Sequence, residues 1–433
     1  LTSGDNNIAI GYQAGDAMTT GGDNVAIGYT AGTAITTGSS NIMIGKDAGD
    51  GFDTESNNLA IGKDAFNGNV SGGEYNIAIG NDSLGALTSA DHNVAIGYNA
   101  ASALSTGAEN VIIGKDAVGL GVLTGNENVV IGMGAGYDMT SATASVFVGD
   151  NSGANVTTGA RNVALGKNAI KQPDTESDNL GIGYNALEGA IAGGEYNVAI
   201  GNYSLDALTS ADYNSVIGYG AGGAINTGGN NTIMGYVAGA ALTDDTNNVL
   251  IGYRAGNALT DSDNVVIGSD AARQGTTHSA NVIIGMNAAA NGVVTGDNNV
   301  VIGKDAGLSF TSANGNVVLG MEAGEAMASA DGNTLVGFQA GKALNYDGDS
   351  YNVIMGYQAG LSLTNAAYNT LIGGFAGDGY DTESHNTAVG YLALSGPVAG
   401  GEYNVAVGNY TLDALTSGDN NTAIGYQAAS AIT

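Results

Sequence analysis

The sequence predicts an all-β fold, a parallel β-solenoid of about 25 coils with about 17 residues in each. Three observations predict it. A five-residue phrase recurs along the whole chain: Asn, a residue that is usually apolar or Thr, an apolar residue, an aliphatic residue and Gly. It starts at Asn7 and is found 25 times, with Ser145 once in the Asn place; from Asn7 to Asn421 there are 24 steps over 414 residues, a period close to 17. A repeat of this regularity specifies an array in which each unit completes its core against its neighbours. Second, no stretch sustains a helical period, because Gly or Asn interrupts every window. Third, the chain has 73 glycines and only 2 prolines, and the glycines keep a fixed phase between aliphatic residues, as turns do and flexible linkers do not.

One unit, Asn24 to Ser40, shows the expected elements in order. Val25, Ala26 and Ile27 form a short strand. Gly28 turns the chain, through positive φ or close backbone approach. Ala31, Ala34 and Ile35 line a second short segment, and Thr36 to Ser40 make the return turn. A strand residue advances about 3.3 Å, so two short strands and two turns bring the chain back to its start. The next coil then pairs in parallel about 4.8 Å away, and every position becomes a ladder. The ladder residues are Asn24, Asn93, Asn264 and their equivalents, with Gly28, Gly97 and Gly268 at the turn. Asn tolerates left-handed backbone, bonds local backbone, and can donate its amide to the Asn of the next coil. Variation is confined to turns, and the longest unit carries Asn345 to Ser350. A longer echo also exists: Asp53-Thr54-Glu55-Ser56 recurs at Asp174 and Asp381, each time followed by Gly-Gly-Glu-Tyr-Asn.

The strand is apolar at all three positions. Residues one and three, such as Val25 and Ile27, share a face and are expected to fill the coil; the middle residue is expected to point outward. That residue is nonetheless apolar in almost every unit, as at Ile112, Val130, Ile233, Leu250, Val266 and Val301, with Gly181 the one gap. A strand apolar on both faces is normally buried on both. The middle residues are therefore expected to form an assembly stripe between chains, because monomers rarely expose so long an apolar patch.

The net charge is −31, with only 10 Lys plus Arg, which argues against nucleic acid or an anionic membrane surface as partner. No apolar run approaches the roughly 20 residues of a membrane-spanning helix. There is no cysteine, hence no disulfide or thiolate metal site. Leu1-Thr2-Ser3-Gly4 matches the end of a repeat and the chain stops inside one at Ala431-Ile432-Thr433. Residues 1–433 are accordingly expected to be a single continuous array, a window from a longer chain.

Asn24-Val25-Ala26-Ile27-Gly28 and Asn93-Val94-Ala95-Ile96-Gly97 resemble the head repeats of trimeric autotransporter adhesins. The longer form Asn7 to Gly15, with its Thr-Thr-Gly return, is similar to repeats of phage tail-fibre-like proteins and large bacterial surface proteins. The resemblance covers the whole chain. It implies a left-handed β-roll, a homotrimer, and an extracellular fibre on a cell surface or virion. The unit here, about 17 residues, is longer than that of the adhesin heads, and no neck or stalk is present.

A search for chemistry singles out little. His92 and His385 occupy the same variable turn position, and His278 is the third histidine. No Ser/His/Asp set recurs. Gly218, Gly220 and Gly223 fit a dinucleotide pattern, but no helix is expected after them. Asp5, Asp23, Glu74, Asp91, Glu195 and Glu402 line the turn before the strand; weak Ca²⁺ binding between coils is conceivable, without the ordered spacing of a calcium loop. Tyr12, Tyr29, Tyr98, Tyr184, Tyr219, Tyr236, Tyr253, Tyr357, Tyr391 and Tyr426 follow the turn Gly, alternating with Lys46, Lys63, Lys115, Lys167 and Lys304. Such a row could stack on sugars or, as the simpler reading, on itself. The expected function is a structural fibre shaft, with no enzyme activity and no cofactor. It would display a binding tip, and any cell-surface or glycan receptor would be engaged outside this segment. The alternative is a ligand-binding solenoid face for glycan or for ice, the latter using Thr19-Thr20, Thr36-Thr37 and Thr157-Thr158.

Overall fold

The computed structural model describes residues 3–172, 174–397 and 400–432. Leu1, Thr2 and Thr433, which belong to the partial repeats expected at the two ends, lie outside the described residues. The chain divides into two compact units, Leu1–Asn214 and Ser215–Thr433. The first holds twelve three-residue strands, from Ile8–Ile10 to Val198–Ile200. Each pairs in parallel with the next, in the register the repeat predicts: Val25 faces Ile42, Ala26 faces Met43 and Ile27 faces Ile44. The second holds thirteen strands of the same kind, from Ser215–Ile217 to Thr422–Ile424, paired in the same way. All described regular structure is β.

Each coil contains one strand, where the sequence led us to expect two. The segment after the turn Gly is held by alternating left-handed residues. In the coil of Asn24 these are Gly28 at φ 146°, Thr30 at 54° and Gly32 at 59°. A strand cannot form there, because its backbone needs φ near −120°. The segment still hydrogen-bonds the next coil, with Gly32 N donating to Ala48 O at 2.9 Å and Thr36 N to Asp53 O at 2.8 Å. A second parallel pair, Ala330–Asp331 with Gly348–Asp349, forms only where the longest unit inserts its extra residues. Ala34, expected to line the interior, is exposed; Ala31 and Ile35 are buried.

The two faces of the strand are the reverse of the expected ones. The middle residues Ile112, Val130, Ile233, Leu250, Val266 and Val301 are 0% exposed and fill the coil. Residues one and three stand half-exposed on the outer face, as at Val111 and Ile113 or Val129 and Ile131. The parity is set by the Asn. Asn24 is itself buried, and in a strand residues two apart share a face, so Ala26 must also point inward. The interior compensates for the varying size of that residue, as a close-packed core requires. Gly181 leaves room that Ile170 fills, since a Cβ on Gly181 would lie 2.7 Å from Ile170 Cγ1. Conversely, Phe147 lies against Gly153, where a Cβ would lie 2.6 Å from Phe147 Cδ2.

The Asn ladder is continuous through the middle of each unit. Asn41 N donates to Asn24 Oδ1 at 2.9 Å, and Asn41 Nδ2 to the same oxygen at 3.2 Å. Nδ2 also donates to the return-turn carbonyl of Glu55 at 2.8 Å. Asn93 and Asn264 do the same toward Asn76 and Asn248, with backbone N to Oδ1 distances of 2.9 and 3.0 Å. The left-handed residue proves to be the one before the Asn, such as Asp23 at φ 59° or His92 at 59°, rather than the Asn. The turn glycines combine both reasons for Gly: Gly97 has φ 136°, and a Cβ there would lie 2.6 Å from Gly114 O. The same holds at Gly28 and Gly268.

Two outcomes follow. Gly252→Ala should destabilise by about 3 kcal/mol or more, since φ is 139° and the new Cβ would lie 2.4 Å from Gly268 O. Asp263→Ala, at an exposed position with φ 64°, removes only the 2.9 Å bond from Asn247 Nδ2 and should cost about 1–2 kcal/mol. Equal shifts in denaturant midpoint would refute this account of the turn. Ser145→Asn should stabilise by about 1 kcal/mol. At Ser145 the ladder bond to Asn162 N stretches to 3.3 Å, and an Asn amide would add a bond to the Gly159 carbonyl. A neutral or lower melting temperature for Ser145→Asn would show that the ladder adds no net stability.

Candidate functional site: the outer strand face and its flanks

Within each unit the outer face presents two apolar rows. In the first unit one row runs through Val94, Val111, Val129, Val146 and Val163, and the other through Ile96, Ile113, Ile131, Val148 and Leu165. The two rows carry no charged residue. In the second unit polar residues enter the first row, at Ser215 and Thr232 and again at Thr334, Thr370, Thr387 and Thr422.

The face is flanked by two aromatic rows. The row after the turn Gly places Tyr12 on Tyr29 with ring centres 5.1 Å apart, and Tyr219 on Tyr236 on Tyr253 at 5.5 Å each, with rings within 15° of parallel. Farther on, Phe338, Tyr357, Tyr391 and Tyr426 hold the same position, and Phe375 and Tyr410, one residue later in their coils, meet them edge to face. The second row occupies the left-handed position before the Asn: Tyr196 on Tyr213 at 5.3 Å, and Tyr368, His385 and Tyr403 at 4.9 and 4.8 Å. His92 stacks on Tyr75 at 5.2 Å. His92 and His385 are thus members of a ring stack. Where Lys replaces Tyr, it pairs with a neighbouring Asp: Lys46 with Asp47 at 2.8 Å, Lys63 with Asp64 at 2.6 Å and Lys167 with Asp150 at 3.0 Å. Hydrogen bonds from Lys46 and Thr30 lower the pKa of Asp47. These pairs are exposed and contribute little to stability.

Turn carboxylates bond the preceding coil. Asp91 caps Glu74 N at 2.8 Å and Asp212 caps Glu195 N at 2.8 Å, whereas Asp23 accepts from the Asn6 side-chain Nδ2 at 3.0 Å. Among the described residues no three His, Asp or Glu side chains gather as metal ligands would. Gly218 and Gly220 are ordinary turn residues of their coil, at φ 145° and 58°. A shallow hollow of about 450 Å³ in the second unit is lined by Ser309, Glu325, Lys342, Leu361 and their neighbours. Its Lys342 is already held by Glu322 at 2.6 Å and Glu325 at 2.9 Å.

Sequence reasoning missed two buried groups. Glu55, Glu176 and Glu383 are 3–5% exposed. Glu55 Oε2 accepts from Asp53 N at 2.8 Å and Thr54 N at 3.0 Å, and Oε1 accepts from Gly72 N of the next coil at 2.9 Å. Glu176 and Glu383 bind Gly193 N and Gly400 N likewise. The echo of Asp-Thr-Glu-Ser with Gly-Gly is therefore one structural device split over two coils, and their fixed separation was the available signal. The second group is His278, 0% exposed, with Nδ1 3.1 Å from both Asn264 Oδ1 and Asn281 Nδ2. Its Nε2 meets no partner among the described residues. Burial lowers its pKa from 6.5 to about 4, against a smaller opposing effect of Asp261 and Asp297.

No protein-family model matches the chain, and no curated protein matches it. No described helix is long and apolar enough to cross a membrane.

His278 makes acid stability testable. Its folded pKa lies below the ordinary value, so the unfolded chain binds the proton first as pH falls. Stability should be unaffected by His278 above pH 6.5, decline between 6.5 and about 4, and lose nothing further below. The total is about 3 kcal/mol. Denaturant titrations of the wild type and His278→Ala across this range should converge or cross by that amount. Parallel curves would show that the ring is not held neutral.

Proposed function

We propose that the chain is a non-catalytic structural shaft in which identical copies associate side by side through the outer strand face. The observation that carries the reading is the pair of uncharged apolar rows left without a partner within each unit. Twelve consecutive strands at about 4.8 Å spacing give a stripe roughly 50 Å long, larger than monomers ordinarily leave in water. Burial of a Val or Ile contributes about 1.5–3 kcal/mol, so a repeated stripe holds chains together without cysteine or metal. The face is regular and uncharged, which suits a second copy of itself, and closed symmetry is the usual solution for identical chains. The resemblance to adhesin and tail-fibre repeats favours three copies, an extracellular place on a cell surface or virion, and a binding tip outside this segment. The assembly surface proposed is residues one and three of the strand, in place of the middle residues.

A ligand-binding face is the second reading. Stacked rings at 5.1–5.5 Å occupy each other's faces, which is the surface a sugar would need. The Thr rows are similarly engaged: Thr19 Oγ1 donates to Thr36 O at 3.0 Å, and Thr36 and Thr157 donate to Asp53 and Asp174 of the following coils. Thermal hysteresis in solution would favour ice over assembly.

Light scattering on the chain should give a closed oligomer, and the triple variant Val249→Asp, Val265→Asp and Val300→Asp should give a folded monomer. Those three positions are the outer neighbours of buried Leu250, Val266 and Val301, so charge there leaves the core intact. A wild-type monomer would refute the assembly. An oligomer indifferent to the three charges would keep association but remove this face from it.

A further inference from the structure

We propose that the stacked tyrosine rows are oxidative modification sites, at which a one-electron oxidant couples the phenols of adjacent coils into dityrosine. Three observations on one chain carry this, independently of the assembly above. The first is geometry. Tyr12 and Tyr29 lie 5.1 Å apart at 15°, Tyr196 and Tyr213 5.3 Å apart at 5°, and Tyr219, Tyr236 and Tyr253 5.5 Å apart at 13°. The backbone register imposes these pairings, since each ring occupies the same position of successive coils. Such fixed neighbours react with high effective concentration.

The second observation is access. Tyr196, Tyr213, Tyr236 and Tyr253 are 47–58% exposed, so an oxidant reaches the ring edge and the side chains can close the remaining gap. The third is the absence of competitors. The chain has 21 tyrosines, no tryptophan and no cysteine. The phenol is therefore the side chain that most readily yields a single electron, and a radical formed on it has no indole or thiol sink.

The step balances as follows. Each of two tyrosines gives one electron to the oxidant and its phenolic proton to water, leaving two phenoxyl radicals. These join through ring carbons ortho to the oxygens, forming one C–C bond. Each joined carbon then loses its hydrogen as the ring regains aromaticity and the oxygen is reprotonated. The net loss is two electrons and two protons. The reaction requires an oxidant of the peroxidase or photogenerated metal type. Its product ties one coil to the next, closing a loop of 17 residues for Tyr12–Tyr29 in a chain that has no disulfide. In the later aromatic row Phe338 and Phe375 separate Tyr357 from other phenols, and Tyr391, Tyr410 and Tyr426 meet edge to face at 5.5 and 6.0 Å rather than stacked.

The test is brief photo-oxidation of the dilute full chain with tris(bipyridine)ruthenium and persulfate, followed by dityrosine fluorescence, thermolysin digestion, which cuts before the apolar residues between successive tyrosines, and mass spectrometry. Expected are cross-linked peptides, lighter by two hydrogens, joining Tyr219 to Tyr236 or Tyr236 to Tyr253, and Tyr12 to Tyr29. Tyr236→Phe preserves the stack; it should abolish both products of its row and leave Tyr12–Tyr29 unchanged. In urea the yield of these adjacent-coil products should fall about tenfold. Coupling spread over non-adjacent tyrosines, equal yield in the unfolded chain, or dityrosine confined to links between chains would each overturn the proposal.

Discussion

The hydrogen bond from each ladder Asn to the one before it is the constraint on which the coil depends. An Asn amide has two donors and an acceptor, and all are used: Asn110 donates its backbone N and its Nδ2 to Asn93 Oδ1, and the same Nδ2 reaches the Gly125 carbonyl of the return turn. One side chain thereby connects three things, the preceding coil, its own strand entry and the far end of its coil. A buried amide left unbonded would cost about 1–3 kcal/mol, so the position tolerates few other residues. Ser145, with a shorter side chain and one donor, reaches less far, and its bond to Asn162 N is stretched to 3.3 Å.

From that constraint the inside and outside of the protein follow. Period, coil length, parallel pairing and register were all legible, because each depends on spacing alone. Which strand face lies inside depends on parity, and apolar composition does not report it. Val25, Ala26 and Ile27 are all apolar, so the pattern alone does not tell the two faces apart. The narrow interior instead takes whichever residue shares a face with Asn24, large or small, and adjusts around it. Ile170 beside Gly181 and Gly153 beside Phe147 are such adjustments. The signal was present in the sequence: a polar residue repeated this strictly is usable only where it is buried, and position two counted from it is then buried too.

The second side of the coil was misread for a different reason. Ala31, Ala34 and Ile35 resemble a strand in composition, yet left-handed residues at Thr30 and Gly32 turn the backbone twice within three residues. Single-residue propensities do not report such a pattern when Thr, Asp, Leu or Ala serve at those positions as well as Gly. Phe66, Leu84 and Val118 are left-handed there at φ 52°, 51° and 49°. Isolated, each would be strained; repeated, each is held by backbone bonds to neighbouring coils, as Phe66 N is to Ser83 O at 2.8 Å.

The aromatic rows show what stacking does to chemistry at the surface. A lone exposed Tyr offers both faces of its ring to any partner. In a register of one coil per strand spacing the same residue meets its own copy, and the ring faces are spent within the chain. His385 between Tyr368 and Tyr403 is absorbed in this way, a flat ring among flat rings and no longer an isolated base. What remains to an outside partner is the strand face between the rows, apolar and uncharged. Repetition thus turns residues that usually signal a site into parts of a stack, and the proposed assembly would rest on the plainest part of the unit, the Val and Ile on either side of a buried residue.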